Sequence, residues 1–245
     1  MRDLMKLIQE RHSARVPFDS RRPIGQQDLR QILEAASWAP TAHNMQNYEV
    51  VVVDDSKLLD AIGNIEAQVS ETFIRENYQQ LSFSEEELQK KRVGLLATMF
   101  PPSWRSPQWK NAGEKIEDVA FAEGPSFMKE TIRTSPTLLF VIYDPRKRAP
   151  ASEGDVLGSI SLGCVMENMW LMAESLGIGF QIMSAFSGER VEDEVKRILE
   201  IPDRLKIAFS CRLGYPVGQP PKILRVRRKV EDFVSYNRFG AKGFR

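Results

Sequence analysis

From about residue 155 to 176 the chain is apolar nearly all round, with Val156, Ile160, Leu162, Val165, Met166, Met169, Trp170 and Leu171 leaving no polar face. A helix of that kind is either central in a fold or buried at a subunit interface, so the remaining elements must be arranged around it. Gly158 and Gly163 would let another backbone approach it closely. Residues 50–53 and 137–143 are continuous apolar runs rich in β-branched side chains and read as buried strands. Residues 180–183 and 206–213 read as two more, separated by an amphipathic helix carrying Val191, Val195 and Ile198.

The N-terminal third is helical by pattern. Leu4, Leu7 and Ile8 form one stripe of a short helix with Asp3 as its N-cap. A second helix over residues 28–38 places Leu29, Ile32, Leu33 and Ala36 at i, i+3, i+4 and i+7, and Pro40 stops it. Ser56 is expected to cap a short helix ending near residue 64, Val69 and Phe73 suggest another, and Ser84-x-x-Glu87 is a capping box. Residues 99–109, with Trp104, Trp109 and three prolines, break helical periodicity and form either a covering lid or a surface excursion packed by its own aromatics.

Helices and strands are interspersed without strict βαβ alternation, and no GxGxxG follows a strand. The expected architecture is α+β: one domain over residues 1–245, with an inserted excursion at 65–134 and a basic, then aromatic extension at 218–245. A net charge of +1 provides no global field for nucleic acid, so any anion site must be local. Two histidines without ligand spacing argue against a metal, and two unpaired cysteines, Cys164 and Cys211, suit a reducing cytosol. Charges scattered through the first residues leave no signal peptide, and no window suggests a transmembrane helix. The expectation is a soluble cytoplasmic protein without membrane or nucleic-acid partners.

Two short blocks carry the chemistry. Arg11, His12, Ser13 and Arg15 offer guanidinium and hydroxyl donors suited to a phosphate, and in an extended chain Arg11, Ser13 and Arg15 share one side. The alternative is a solvated basic surface. Thr41, Asn44 and Gln46 cluster beside Pro40 at the mouth of the first strand, where amide groups match the edge of a pyrimidine-type ring. A second i, i+2 cation pair, Arg225 and Arg227, lies near the C-terminus with Arg228 beside it, and reads either as an anion site or as a solvated tail.

RHSAR, PI(x)4L(x)2IL(x)2AxxAP, TAHNMQNYEVVVV, the apolar helix ending at Gly179 and LGYP(x)nRxRR, in that order and spacing, together resemble the FMN-dependent nitroreductase superfamily. The resemblance covers roughly residues 1–60 and 136–234. It implies a homodimeric α+β sandwich with FMN at the subunit interface and an NAD(P)H-fed ping-pong reductase. It also implies that Arg11, His12 and Ser13 meet the phosphate and ribityl chain. Arg15 would be the cation near the flavin N1 and C2 carbonyl edge, stabilising the anionic reduced flavin. Thr41, Ala42 and Asn44 would meet the ring and ribityl chain from the partner subunit, and Gln46 matches a neighbouring cofactor-binding position of the family. Met183, Ser184 and Ala185 would approach N5 and O4, and Arg225 and Arg227 would close over the phosphate. Asn47-Tyr48 stand where the family often has Pro-Trp, and Ser184-Ala185 replace Gly-like residues, which bears on substrate and electron donor. The competing readings are a specialised relative (a dehalogenase, flavin-destroying enzyme or heterocycle oxidase), a flavin-binding protein without turnover, and a nucleic-acid binder using residues 222–229.

Overall fold

The computed structural model describes residues 3–65, 69–70, 81–97, 120–121, 124–150, 153–187, 189–218, 224–241 and 243. Two compact units emerge, Met1–Ala67 with Glu123–Pro220, and Gln68–Ala122 with Pro221–Arg245. In chain order the elements are α1 (Leu4–Glu10), α2 (Gln26–Ser37), β1 (Glu49–Val53) and α3 (Ser56–Gly63). The second unit follows with β2 (Val69–Ser70), β3 (Ser82–Phe83), α4 (Glu85–Lys91), β4 (Leu95–Leu96) and β5 (Ala120–Phe121). The chain then returns to the first unit with α5 (Gly124–Arg133), β6 (Thr137–Tyr143), α6 (Val156–Ser175), β7 (Gly179–Ile182), α7 (Glu189–Ile198) and β8 (Lys206–Gly214).

The first unit is built on a sheet of order β1-β6-β8-β7 with every neighbouring pair antiparallel. Successive side chains of a strand point to opposite faces, and β6 is apolar throughout, so it feeds two cores at once. Leu138, Phe140 and Ile142 pack with Val53, Ile62, Ile132, Val191 and Val195, which draws α3, α5 and α7 onto one face. Leu139 and Val141 pack with Ile32, Ala36, Val165, Met169 and Ala173, which brings α2 and α6 onto the other. A one-residue slip of β6 would exchange the two sets, so the register Val53 to Leu138 is tightly specified. The fold is α+β, as expected.

Local chemistry sets the element ends. Asp3 caps α1 by accepting the Met5 N–H at 3.1 Å. Asp55, not Ser56, caps α3: its carboxylate accepts from the N–H groups of Lys57 and Leu58, and Ser56 is already helical. The capping box is present, with Ser84 N–H donating to Glu87 Oε2 at 3.0 Å and Glu87 N–H to Ser84 Oγ at 3.3 Å. The helix suggested around Val69 is corrected: Val69–Ser70 is a strand paired with Ala120–Phe121, while Phe73 lies outside the described residues. Trp104 and Trp109 also lie outside them.

The apolar helix α6 behaves differently from a buried core rod. Val165, Met169 and Ala173 are buried, but Val156 (59%), Leu157 and Ile160 (56%) stand exposed toward its N-terminal end. Gly158 makes room for the Asp155 carboxylate, whereas among the described residues nothing comes within 4 Å of where a Gly163 Cβ would sit. Among the described residues α6 is the one helix long and apolar enough, by length and composition, to cross a membrane, contrary to the expectation that no window qualifies. Its buried stripe packs on the sheet, and its two glutamates face basic side chains.

Past Ala14 the chain runs along the open edge of the sheet. Ala14 N–H donates to the Phe180 carbonyl at 2.9 Å, and Phe18 bridges to Pro216. The Phe18 ring fills the space above Gly179 and Gly214, where a Cβ would sit 2.7 Å and 2.6 Å from Phe18 atoms. Only glycine allows that approach.

Candidate functional site

Both sequence blocks dock on α6. The Arg11 guanidinium lies 4.2 Å above the Trp170 ring, and Trp170 Nε1 donates to the His12 carbonyl at 3.1 Å. Trp170 stacks in turn on Phe180, with centroids 5.2 Å apart. His12 Nδ1 faces the Glu10 carbonyl oxygen at 3.1 Å and Glu174 Oε2 at 3.6 Å. Arg11 Nε comes within 3.2 Å of Glu167 Oε1, yet it is buried and forms no aligned hydrogen bond, so it holds a donor still to be met.

The extended-chain parity does not survive. Arg15 N–H folds back to the Ser13 carbonyl at 2.9 Å, a three-residue turn centred on Ala14. Ala14 is thereby buried and Arg15 exposed, and Arg15 has no ion pair among the described residues. The cause is tertiary: the carbonyls of Ala14 and Val16 are drawn inward by the side chain of Arg212.

The second block is a strained turn. His43, Asn44 and Gln46 have φ of 52°, 53° and 45°, with right-handed Met45 between them, left-handed values that β-carbon sterics disfavour for most residues other than glycine. Thr41 Oγ1 accepts from Gln46 N–H at 3.2 Å, and Gln46 Nε2 donates to Asn44 Oδ1 at 3.0 Å. Ala42 N–H donates to Ser161 Oγ of α6 at 2.9 Å. Asn44 and His43 are of types that enter the left-handed region more readily than most, whereas nothing in residue type announced it for Gln46. Asn47 is occupied structurally, donating to the carbonyls of Asp144 and Lys147, and Tyr48 O–H donates to Ala36. Thr41, Ala42 and Ser161 line a cleft with Tyr143, Lys147 and Asp155.

Within one chain the two blocks lie apart. Ser161 and Trp170 stand on α6 separated by roughly 13 Å at 1.5 Å per residue. Met183 is buried at the end of β7, its N–H on the Ser210 carbonyl and its carbonyl accepting from Ser210 Oγ. A single helical turn, Ser184–Ser187, follows; Ser184 is exposed and the Ala185 side chain is not among those described. In the second unit Leu224 and Val226 are half-buried while Arg225 and Arg227 are exposed, the alternation of an extended chain that puts both cations on one side. Arg227 Nη1 donates to the Val226 carbonyl, and Arg228 reaches the Asp232 carbonyl instead.

Near the strained turn, Asp144 accepts from Arg146 Nε and Nη2 at 3.0 and 2.8 Å and from the Arg146 N–H. These bonds to the Arg146 side chain and backbone hold the carboxyl well below the usual carboxylate range. A depressed folded pKa stabilises the fold above the unfolded value and loses that effect as pH falls through the folded one. Urea midpoints followed from pH 7 to strongly acidic solution are expected to fall less steeply for Asp144→Asn than for the parent chain.

A four-stranded antiparallel sheet between helical layers, with a cation and hydroxyl block and a strained amide turn on one apolar helix, matches a known family. The Nitroreductase family model aligns with residues 8–215. The chain belongs to the nitroreductase family. It is 19% identical to an NADPH-dependent oxidoreductase of Staphylococcus aureus USA300 across 96% of this chain and 73% of that one. A nitroreductase family protein from Clostridium difficile 630 superposes with a TM-score of 0.60 at 16% identity, over 96% and 99% of the two chains. A nitroreductase with bound FMN from Bacteroides fragilis gives 0.54 at 18% identity, over 96% and 98%. At these identities the solved structures speak to the fold.

Proposed function

We propose that the protein is an FMN-dependent oxidoreductase that passes hydride from NAD(P)H to an electron-poor acceptor such as a nitroaromatic or a quinone. FMN, when bound, supplies the redox centre at N5 that both half-reactions share. The observation that carries this reading is the Arg11–Arg15 block: a guanidinium stacked on Trp170, its buried Nε beside Glu167 without an aligned hydrogen bond, next to an exposed Arg15 with no ion pair among the described residues. That donor set fits a phosphate monoester and the electron-rich edge of a flavin.

In this reading Arg11, His12 and Ser13 bind the phosphate and ribityl end. Arg15 places positive charge at the N1 edge. The backbone of Met183, Ser184 and Ala185 meets the N5 side, and Arg225 and Arg227 close the phosphate end. Thr41, Ala42, Asn44 and Gln46 act from a second copy, because one chain holds its own two blocks apart along α6. The exposed Val156, Leu157 and Ile160 supply the apolar surface a homodimer buries. We assign residues 65–134 and 218–245 to the excursion and extension of one nitroreductase-like domain, and no general acid or base is assigned. The free thiols suit the cytoplasm; burial pushes the Cys211 thiol well up, leaving it protonated.

The purified protein is expected to be yellow, and its visible absorbance to bleach on anaerobic addition of NADPH or NADH. A folded, colourless chain that cannot take up FMN overturns the proposal.

A further inference from the structure

Arg212 occupies a core-facing position of β8, between apolar neighbours, and is only 3% exposed. All five of its N–H groups have an acceptor within reach. Nε donates to Gln181 Oε1 at 2.7 Å, and Nη1 to Ser135 Oγ at 3.3 Å and the Thr131 carbonyl at 3.4 Å. Nη2 donates to the Val16 carbonyl at 2.7 Å and the Ala14 carbonyl at 3.2 Å. The guanidinium plane also lies 4.1 Å from the centre of the Phe18 ring.

Every one of these partners is neutral, and no carboxylate pairs with Arg212 among the described residues. Burial pushes the guanidinium down to about 10, so it stays charged at neutral pH. A buried charge without a counter-ion is a poor way to hold a core together, since well-packed apolar residues do as well or better. What the guanidinium does supply is rigid, forked geometry. Two of its five bonds seize the carbonyls on either side of Arg15. The tight turn centred on Ala14 comes just before this clamped stretch, and the Arg15 side chain faces outward.

We propose that Arg212 is the positioning residue of the N-terminal cation block, clamping the carbonyls of Ala14 and Val16 so that Arg15 is presented to the bound flavin in one fixed direction. Phe18, pinned over Gly179 and Gly214 and capped by the same guanidinium, closes the clamp on its far side. This inference rests on the FMN reading above.

The test compares the parent chain with Arg15→Gln, Arg212→Lys and their double variant, each loaded with FMN. The readout is the flavin midpoint potential, which a purely structural residue does not move. Arg15→Gln is expected to weaken the preference for reduced over oxidised flavin about tenfold, a shift of about 30 mV to lower potential. Arg212→Lys, which keeps the charge and loses the fork, is expected to give a shift of the same sign, and the double variant to go no further than Arg15→Gln. Gln181→Leu, which removes one anchor and leaves the guanidinium in place, serves if Arg212→Lys does not fold, with a smaller shift of the same sign expected. An unchanged potential in the folded variants, or effects that add, overturns the clamp while leaving FMN binding intact. A parent chain that binds no FMN overturns both.

Discussion

Replacing Ile160 and Val156 together by aspartate is expected to give a folded chain that sediments as a monomer and no longer retains FMN. Both side chains are more than half exposed, so neither supports the fold of a single chain. Both lie in the first turns of α6, where a negative charge is tolerated by the helix dipole. In a dimer that buries this face, each aspartate would be desolvated without a partner. A symmetric dimer loses four such anchors, two from each chain, and at about 2 kcal/mol or more apiece its dissociation constant should rise by about a millionfold. Sedimentation velocity reads the mass, and flavin fluorescence after gel filtration reads retention. A variant that remains dimeric and yellow places the interface elsewhere.

Phe140→Ala is expected to remove a large share of the stability of the first unit. Phe140 is fully buried at the centre of β6, edge-on to Phe186 with centroids 5.3 Å apart. Truncating such a ring forfeits transfer energy and leaves a cavity, together about 3–5 kcal/mol, against about 5–15 kcal/mol for a whole domain. Phe186 belongs to the turn that follows Met183, so the loss should spread to the segment proposed for the flavin N5 side. Denaturant titration by tryptophan fluorescence measures the first effect. Phe140→Leu, which keeps most of the volume, should lose less than half as much.

Much of this fold is written in local chemistry. Four valines in a row form a strand as expected, though at the sheet's edge with Val53 alone of the four buried, and β6 and β8 fall within a residue or two of where their apolar runs lie. Ser84 and Glu87 announce α4 because a capping box needs both partners within one turn. Nonlocal features were illegible. Val69–Ser70 is a strand only because Ala120–Phe121 pairs with it from some fifty residues away. Asp55, extended in backbone and accepting from Lys57 and Leu58, takes the cap one position before Ser56.

The candidate site divides in the same way. Residue types and spacing drew attention to Arg11–Arg15, to Thr41–Gln46 and to Arg225 and Arg227. Their geometry depended on partners far along the chain: Trp170 under Arg11, Ser161 on Ala42, and Arg212 on the carbonyls of Ala14 and Val16. Arg212 reads in sequence as an ordinary interruption of a strand, and only its five neutral acceptors reveal its work.

The pairing of β1 with β6 also governs how the chain is made. Val53 meets Leu138 in the finished sheet, so when the four valines leave the ribosome their partner strand has yet to be synthesised. At bacterial-scale elongation of about 5–20 residues per second, that leaves several seconds with a sticky, unpaired edge in solution. Chaperone supply and translation speed, more than intrinsic stability, should therefore govern how much of this protein is recovered intact from a cell.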